Sequence, residues 1–366
     1  MSLFISILAF LVVITILVGI HEGGHFYAAK LFKVGIRKFA IGMGPVLYSK
    51  TGSDGCSYEL RALPLGGFVQ MVGDGDPASV LTSDELTEEE KKQAFSLKPK
   101  WQKSIIVAAG PLVNFIFGIL IFTVLFSINE VEVTPPVIAE IVQGDPADIA
   151  GLRPGDTILK INDQNIKTFA DVRTVVFINL DNNLDIVVER GGQSLDFTVT
   201  PKIIETKNFI GSVEKMGMIG IKSESRVFEK TSILQAFKLA INEFWNTINT
   251  TLTALNQIFQ GQRGIDDLGG PVKIAEMSGA AVGISFQFYF MLMAVISINL
   301  GLMNLFPVPV LDGGHLTIYA IEGIIGRSLS AKSINMTYKV SMFLLLTLFI
   351  VISANDMISL FERHLL

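Results

Sequence analysis

Residues 3–31 read LFISILAFLVVITILVGIHEGGHFYAAKL, and this stretch decides how the rest of the chain is interpreted. Its first eighteen residues carry no charge, and a helix needs about 20 mostly apolar residues to cross a bilayer. The stretch continues through His21, Glu22 and His25, whose ionisable side chains are costly at membrane depth and mark functional sites there. It therefore predicts a membrane-spanning helix with a polar cluster at its end.

A cleaved signal peptide is the alternative interpretation of this stretch. Signal peptides carry basic residues before the apolar run and a small-residue cleavage site after it, and this stretch has neither. Cleavage would also discard the two histidines and the glutamate. We therefore expect residues 1–31 to be a retained transmembrane helix.

The composition of the whole chain agrees with a membrane protein. Only 17% of the 366 residues are charged, against about 25% in soluble proteins, and the mean hydropathy is +0.51. This composition excludes a disordered chain, and the net charge of −5 gives no basic surface for nucleic acid. The single cysteine, Cys56, excludes an intramolecular disulfide. Further transmembrane helices are predicted at 101–128, at 283–306 and, together with the C-terminus, at 340–366.

Basic residues near the span ends predict the orientation, because they favour the cytoplasmic side. Lys30, Lys33, Arg37 and Lys38 follow the first span, and Lys98, Lys100 and Lys103 precede the second. After the second span come Glu130 and Glu132 instead. We therefore expect residues 32–100 and the loop 307–339 to be cytoplasmic, and residues 129–282 to lie outside.

The cytoplasmic segment 32–100 divides into two parts. Residues 34–72 are glycine-rich with short apolar runs, a pattern typical of β-hairpins. The remainder is polar, and its acidic run 88–90 indicates a solvated helix face rather than a metal site.

Residues 129–225 change character towards short alternating strands and turns. The runs 185–189 and 195–199 flank Gly191-Gly192 and predict a hairpin. The segment 136–162 resembles the core of a PDZ domain, with Asp145 in place of the usual serine. It reads PVIAEIVQGDPADIAGLRPGDTILKIN. Such a domain binds an extended chain by strand addition. The alternative is a small β-domain that only spaces the membrane parts.

Residues 226–282 form the connector to the third span. Apolar residues recur at helical spacing between 231 and 260, which predicts an amphipathic helix. The sequence leaves open whether this helix lies in the membrane interface or packs on the preceding domain.

The motif His21-Glu22-Gly23-Gly24-His25 is the H-E-x-x-H pattern. Residues four apart share one helix face, so both imidazoles can reach one metal ion, and the glutamate lies where it can move a proton. Zinc prefers such ligands and lowers the pKa of a bound water. A catalytic zinc usually has a third protein ligand, for which Asp312 and His315 are both candidates on residue type.

Together with NLFPVPVLDG at residues 304–313, the H-E-x-x-H motif is similar to the site-2 intramembrane metalloproteases. Four spans with one PDZ domain between the second and third resemble the bacterial members that cleave anti-sigma factors, the RseP type. The resemblance implies that His21, His25 and Asp312 bind zinc and that Glu22 is the catalytic acid and base. It also implies a polytopic α-helical membrane fold with a cytoplasmic membrane-associated β-hairpin region and one extracytoplasmic PDZ domain.

The same resemblance suggests residues that contact substrate. These are Asn114, within Gly110-Pro111-Leu112-Val113-Asn114, then Asn304 and Pro307 near the third span, and Gly42 and Gly44 in the hairpin region. For the asparagines, a role in helix packing is an equal alternative. The sequence departs from the family at Gly23, where a bulky apolar residue is expected, and in having one PDZ domain rather than two.

The sequence therefore predicts a zinc-dependent endopeptidase of the bacterial inner membrane, with its active site towards the cytoplasm. Expected partners are the lipid bilayer and single-pass membrane proteins, such as trimmed anti-sigma factors or remnant signal peptides. The alternatives are an inactive PDZ scaffold with a structural metal site and a metal transporter. The scaffold does not need Glu22, and the transporter lacks an evident internal repeat.

Overall fold

The computed structural model describes residues 3–74, 86–180, 182–224, 226–264 and 268–365. The chain divides into two compact units. The first comprises Met1–Ile121 and Gly270–Ala354, and the second comprises Phe122–Gly269 and Asn355–Leu366.

Most of the helices belong to the first unit, and ten of the twelve described strands belong to the second. The helices are α1 (Leu3–Leu31), α2 (Glu88–Gln93), α3 (Lys100–Ile128), α4 (Pro146–Ile149), α5 (Phe169–Ile178), α6 (Ile233–Phe259), α7 (Pro271–Ile284), α8 (Phe286–Asn304), α9 (Asp312–Ile325) and α10 (Ala331–Leu365). The strands are β1 (Ile36–Thr51), β2 (Ser57–Met71), β3 (Glu130–Glu132), β4 (Glu140–Ile141), β5 (Thr157–Ile161), β6 (Gln164–Asn165), β7 (Leu184–Arg190), β8 (Gln193–Val199), β9 (Lys202–Lys207), β10 (Val213–Met218), β11 (Ile221–Lys222) and β12 (Phe228–Lys230).

Four helices of the described chain are long and apolar enough to cross a membrane, namely α1, α3, α8 and most of α10. The prediction of four such helices is confirmed, and it indicates a multi-pass membrane protein. The third begins at Phe286 rather than 283, because the Ser285 hydroxyl accepts a hydrogen bond from the Phe288 N–H and caps α8.

Helix α1 packs against α7 and α8 in the first unit. A buried cluster joins Val13 and Leu17 of α1 to Ala281 of α7 and Met293 of α8. The Tyr289 hydroxyl donates to the Ala9 carbonyl over 2.8 Å, which satisfies a polar group inside this apolar contact. These contacts fix the helix that carries the H-E-x-x-H motif.

The hairpins expected between residues 34 and 72 are present as the antiparallel pair β1 and β2. Both strands bend, so that residues 38–41 of β1 pair with the start and with the end of β2. Gly42 and Gly44 allow the bend, since both have positive φ angles, of 90° and 80°. The end of β2, residues 67–71, pairs on one side only among the described strands and forms an edge of this sheet.

Residues 307–339, expected to be a loop between the third and fourth spans, contain α9 at Asp312–Ile325, and α10 already begins at Ala331. The pair Gly313-Gly314 argues against a helix by propensity. In the structure a β-carbon on either glycine would overlap the backbone of residues 305–309, so close packing explains both glycines. The acidic run 88–90 lies in α2 as predicted, where Glu90 pairs with Arg37 over 2.8 Å.

The second unit contains a four-stranded sheet in the order β6-β5-β7-β8, with α5 beside it. The hairpin predicted around Gly191-Gly192 is the β7–β8 pair. Its core of fully buried side chains includes Ile158, Ile161 and Ile186, with Val172 of α5 packed against them. Three two-stranded pairs complete the domain: β3 with β12, β4 with β11, and β9 with β10.

Helix α6 is the amphipathic helix expected at 231–260. It begins with a capping box between Ser232 and Gln235. Near its end, the buried Gln257 donates to the carbonyl of Ile178 over 2.7 Å, which ties α6 to α5. At its start, Ile233 and Phe237 remain exposed. The helix thus packs on the preceding domain at one end and presents apolar side chains at the other.

Candidate metal centre

Three side chains converge at the end of α1 and the start of α9. The Nε2 atoms of His21 and His25 are 3.3 Å apart, and Asp312 Oδ2 lies 3.2 Å from the first and 3.5 Å from the second. Within the described residues, this is the group of histidine, cysteine and acidic side chains that could hold a metal ion. The structure thus brings together His21, His25 and Asp312, the ligand set that the family resemblance implies.

The approach of α3 to α1 depends on two glycines. A β-carbon on Gly24 would lie 2.5 Å from the Ala109 carbonyl oxygen, and one on Gly110 would overlap His25 and lie 2.9 Å from His21 Cε1. Glycine at both positions lets the two helices pack closely beside the imidazoles. Gly23, by contrast, would meet nothing within 4 Å.

Helix α3 also holds the far side of each imidazole. His25 Nδ1 donates to the carbonyl of Ile106 over 2.9 Å, and His21 Nδ1 lies 3.3 Å from the side-chain amide of Asn114. Because the His25 proton is on Nδ1, its Nε2 carries a free lone pair that faces the centre. Both histidines are nearly buried, at 9% and 8% exposure, so their rings have little freedom to turn.

The third side chain, Asp312, is the first residue of α9. The non-helical stretch from Leu305 to Leu311 folds back over the start of this helix, and Gly313 and Gly314 pack directly under it. This fold brings the Asp312 carboxylate next to the histidines of α1, where the side chain is 17% exposed. A negative side chain is also favourable in the first turn of a helix.

These residues fit a zinc ion. Asp312 Oδ2 is buried and has no hydrogen-bond donor in the described chain, while the facing His25 Nε2 is a lone pair rather than a donor. Three electron-rich atoms at this spacing repel one another unless a cation lies among them. Zinc bonds of about 2.0–2.1 Å in a tetrahedral arrangement separate neighbouring ligand atoms by about 3.3–3.4 Å, close to the distances observed.

Glu22 lies beside the ligands and under the sheet. A β-carbon on Gly67 of β2 would be 2.8 Å from Glu22 Cγ, so the edge strand of the sheet passes directly over this side chain. Glu22 is partly buried. It is therefore adjacent both to the ligand His21 and to the sheet edge, where a proton-transferring group can reach an incoming chain.

His315, the other candidate for the third ligand, lies in a different contact. Its ring is hydrogen-bonded to the Tyr338 hydroxyl of α10, with 2.9 Å between the hydroxyl and Nε2. It is not part of the ligand cluster, although it follows Asp312 by only three residues.

The remaining predicted residues are not members of the ligand cluster. Asn304 ends α8, and Pro307 lies in the turn that leads to Asp312. Gly42 packs against the carbonyl oxygens of Leu63 and Arg61, and Gly44 packs against the Leu63 side chain.

Two features of the site were not predicted. The carbonyl of Ile106 is a backbone group, which leaves no signal in a sequence. The approach of Gly67 to Glu22 depends on the bends in the sheet. The run Gly110-Pro111-Leu112-Val113-Asn114 was singled out from the sequence. Its first residue, Gly110, lies against both imidazoles, and its last, Asn114, contacts His21.

A helix-borne histidine pair, a converging aspartate and an adjacent glutamate define a metal-dependent hydrolase. Residues 9–348 match peptidase family M50. An Agrobacterium fabrum protein named as a zinc metalloprotease is 37% identical over 97% of this chain and 96% of its own. A similarly named Rickettsia conorii protein is 35% identical over 98% and 100%, and the metalloprotease MmpA of Caulobacter vibrioides is 33% identical over 96% and 95%. The chain belongs to peptidase family M50, the site-2 proteases, and is a zinc metalloprotease.

Proposed function

We propose that this protein is an intramembrane endopeptidase, which hydrolyses peptide bonds within the transmembrane segments of single-pass proteins. The observation that carries the proposal is the position of the metal centre. His21 and His25 lie on α1, a helix apolar enough to cross the membrane, rather than on a separate soluble domain. Ionisable side chains in such a helix indicate chemistry at membrane depth.

His21, His25 and Asp312 would hold the zinc ion. When bound, zinc polarises the scissile carbonyl and lowers the pKa of the attacking water to about 7. The role of Glu22 is proton transfer. Its carboxylate accepts a proton from the attacking water and then donates it to the leaving amine nitrogen, which must be protonated before the peptide bond breaks.

The substrate would bind as an extended chain along the edge of β2. A peptide bond inside a regular helix is shielded by its hydrogen bonds, so the substrate must unwind locally before attack. The unpaired edge at residues 67–71 offers backbone partners to the unwound segment, and Gly67 at its start lies against Glu22. Strand addition at this edge would therefore place a substrate backbone beside the catalytic group.

Other residues would align this strand. Gly42 and Gly44 shape the bend of the sheet through their positive φ angles. Asn304 and Pro307 border the turn that carries Asp312, and we assign them to substrate contact on that position.

We further propose that residues 129–225 form an extracytoplasmic PDZ domain that docks or filters substrates. A small cleft of about 50 Å³ lies between α5 and the segment 218–221, with Phe169, Val172 and Val176 in its lining. A groove between a helix and a short strand suits an extended peptide. Basic residues near the span ends favour a cytoplasmic side for residues 32–100 and for the metal centre, and we propose the bacterial inner membrane as the location. Substrates would be trimmed anti-sigma factors or remnant signal peptides.

The deciding experiment compares the wild-type protein with Glu22→Gln in detergent, at matched zinc content, on a model single-span substrate. We expect the wild type to cut within the span and the variant to lose at least about 100-fold in rate, because general acid–base catalysis contributes that much. Equal zinc content ensures that the variant tests proton transfer rather than metal loss.

Two results would contradict the proposal. If neither protein cuts a panel of trimmed single-span substrates although zinc is bound, the result would favour the inactive PDZ scaffold over a protease. Cleavage only in the extramembrane part of the substrate would make the protein a protease of another kind.

A further inference from the structure

The two ring nitrogens of His21 face different parts of the molecule. Nε2 faces the metal centre, 3.2 Å from Asp312 Oδ2 and 3.3 Å from His25 Nε2. Nδ1 faces α3, where the side-chain amide of Asn114 lies 3.3 Å away. Asn114 is completely buried. One ring nitrogen is thus available as a ligand, and the other contacts a buried amide.

The chemistry of the ring decides which amide atom must face it. An imidazole that binds a cation through Nε2 keeps its proton on Nδ1 and needs an acceptor there. The amide nitrogen of Asn114 lies towards Nδ1, while its Oδ1 is buried without a hydrogen-bond partner in the described chain. The oxygen and nitrogen of a carboxamide occupy nearly the same space, so a half-turn exchanges them. The exchange places Oδ1 beside Nδ1–H, so that the ring proton has its acceptor.

The position of Asn114 does not suit contact with the substrate. A group that stabilises the reacting carbonyl must face the open side of the metal centre. Asn114 lies instead behind His21, on the side of the ring away from Nε2. Its backbone carbonyl accepts a hydrogen bond from the Ser297 hydroxyl over 2.8 Å, which anchors it between α3 and α8.

We propose that Asn114 is a positioning residue that accepts a hydrogen bond from His21 Nδ1 and thereby fixes the ligand tautomer and the orientation of the ring. It is the counterpart of the Ile106 carbonyl, which holds His25 in the same way. Helix α3 therefore orients both histidine ligands, one through its backbone and one through a side chain. The inference rests on the proposed ligand set of His21, His25 and Asp312.

The test measures zinc affinity rather than proteolysis, using full-length protein in detergent and a competing chelator. Asn114→Leu keeps the volume but removes the acceptor, and we expect zinc to bind about 10–100-fold more weakly. Asn114→Asp keeps an acceptor and should bind zinc within a few-fold of wild type. Ser297→Ala is the matched control, because it alters the same helix contact without touching His21, and it should bind zinc as wild type does.

A second measurement needs no variant. The protein has four histidines, so ¹⁵N-histidine spectra of the zinc-loaded wild type can be resolved ring by ring. We expect His21 to be protonated at Nδ1 with slow exchange of that proton.

Three results would overturn the proposal. Fast exchange or an Nε2-protonated His21 would exclude the hydrogen bond. Equal zinc loss in the leucine and aspartate variants would mean that Asn114 only packs. Unchanged zinc affinity in Asn114→Leu with a raised KM would assign it to the substrate instead. Failure of the protease proposal is distinguishable, because zinc would still bind more weakly to Asn114→Leu than to Asn114→Asp and Ser297→Ala.

Discussion

Gly110 of α3 lies directly against the imidazole of His25, so that a β-carbon at this position would overlap Nε2 of the ring. The same β-carbon would be 2.9 Å from Cε1 of His21. The absence of a side chain at one residue of α3 thus leaves room for both histidine ligands on α1. Replacing this glycine by alanine adds a single methyl group, so the substitution is a sensitive probe of the contact.

We expect Gly110→Ala to displace both imidazoles and to reduce bound zinc by at least about tenfold, since interiors are close-packed and cannot absorb the methyl group. Zinc per mole of purified protein is the measurement. Gly23→Ala is the matched control, because nothing lies within 4 Å of that position. It should keep its zinc and gain about 1 kcal/mol of stability from helix propensity. Full zinc occupancy in Gly110→Ala would refute the close contact.

The choice between Asp312 and His315 gives a second prediction. Asp312 faces Nε2 of both histidines, whereas His315 is bonded to Tyr338. We expect Asp312→Asn to weaken zinc binding by more than about 100-fold, beyond the 10–100-fold loss typical of residues behind the ligands. His315→Asn should retain zinc. Chelator competition measures both, and the reverse order of affinities would make His315 the ligand.

The histidine pair could be predicted from sequence because a spacing of four residues fixes a shared helix face before any tertiary contact forms. The third ligand could not be chosen from the residues alone. Asp312 and His315 follow the same span, and zinc accepts either type. The selection depends on how residues 305–311 fold over Gly313 and Gly314, which is a matter of tertiary packing.

The helix α9 shows the same limit. Residues 307–339 were expected to be a loop between two spans, but α9 forms there, with Gly313 and Gly314 packed against the preceding backbone. The four spans, the hairpins of 34–72 and the amphipathic α6 were predictable, because each depends on periodicity within its own segment. Contacts between segments, such as Gly67 with Glu22, were not.

The contact between Gly67 and Glu22 gives a third prediction. The backbone angles of Gly67 accept an alanine, but the added β-carbon would lie 2.8 Å from Glu22 Cγ and equally close to the carbonyl oxygen of Ala40 in β1. We expect zinc to remain bound while kcat falls by up to about 100-fold, because a displacement near 1 Å of a catalytic group has that effect. Zinc content and kcat are measured on the same preparation. Unchanged kcat would show that the sheet edge at Gly67 does not determine the position of Glu22.

A fourth prediction concerns the ion pair between Asp156 and Arg190 in the second unit. Asp156 is fully buried, and the Arg190 guanidinium donates to its two oxygens over 2.6 and 2.7 Å. The backbone N–H of Arg153 adds a third bond of 2.8 Å. Burial alone would raise the pKa of Asp156, but these hydrogen bonds outweigh it and hold the pKa below its ordinary value.

The sign of the pH dependence follows from that lowered pKa. The pair stabilises the fold fully above the ordinary aspartate pKa of about 4, and this stability is lost as the pH falls towards the lower folded value. Arg190→Leu leaves the carboxylate buried without its partner, so we expect hydrogen exchange in β5 and β7 to rise at least about tenfold at pH 6. Below pH 4 the difference from wild type should shrink, because protonation removes the unpaired charge. The control is Lys222→Ala, which removes an exposed ion pair with Glu140. Its hydrogen exchange in β5 and β7 should stay within about twofold of wild type.

The opposite outcome is a difference in exchange between Arg190→Leu and wild type that stays constant from pH 6 to pH 3, after correction for intrinsic exchange. It would show that the arginine acts by packing rather than by its charge.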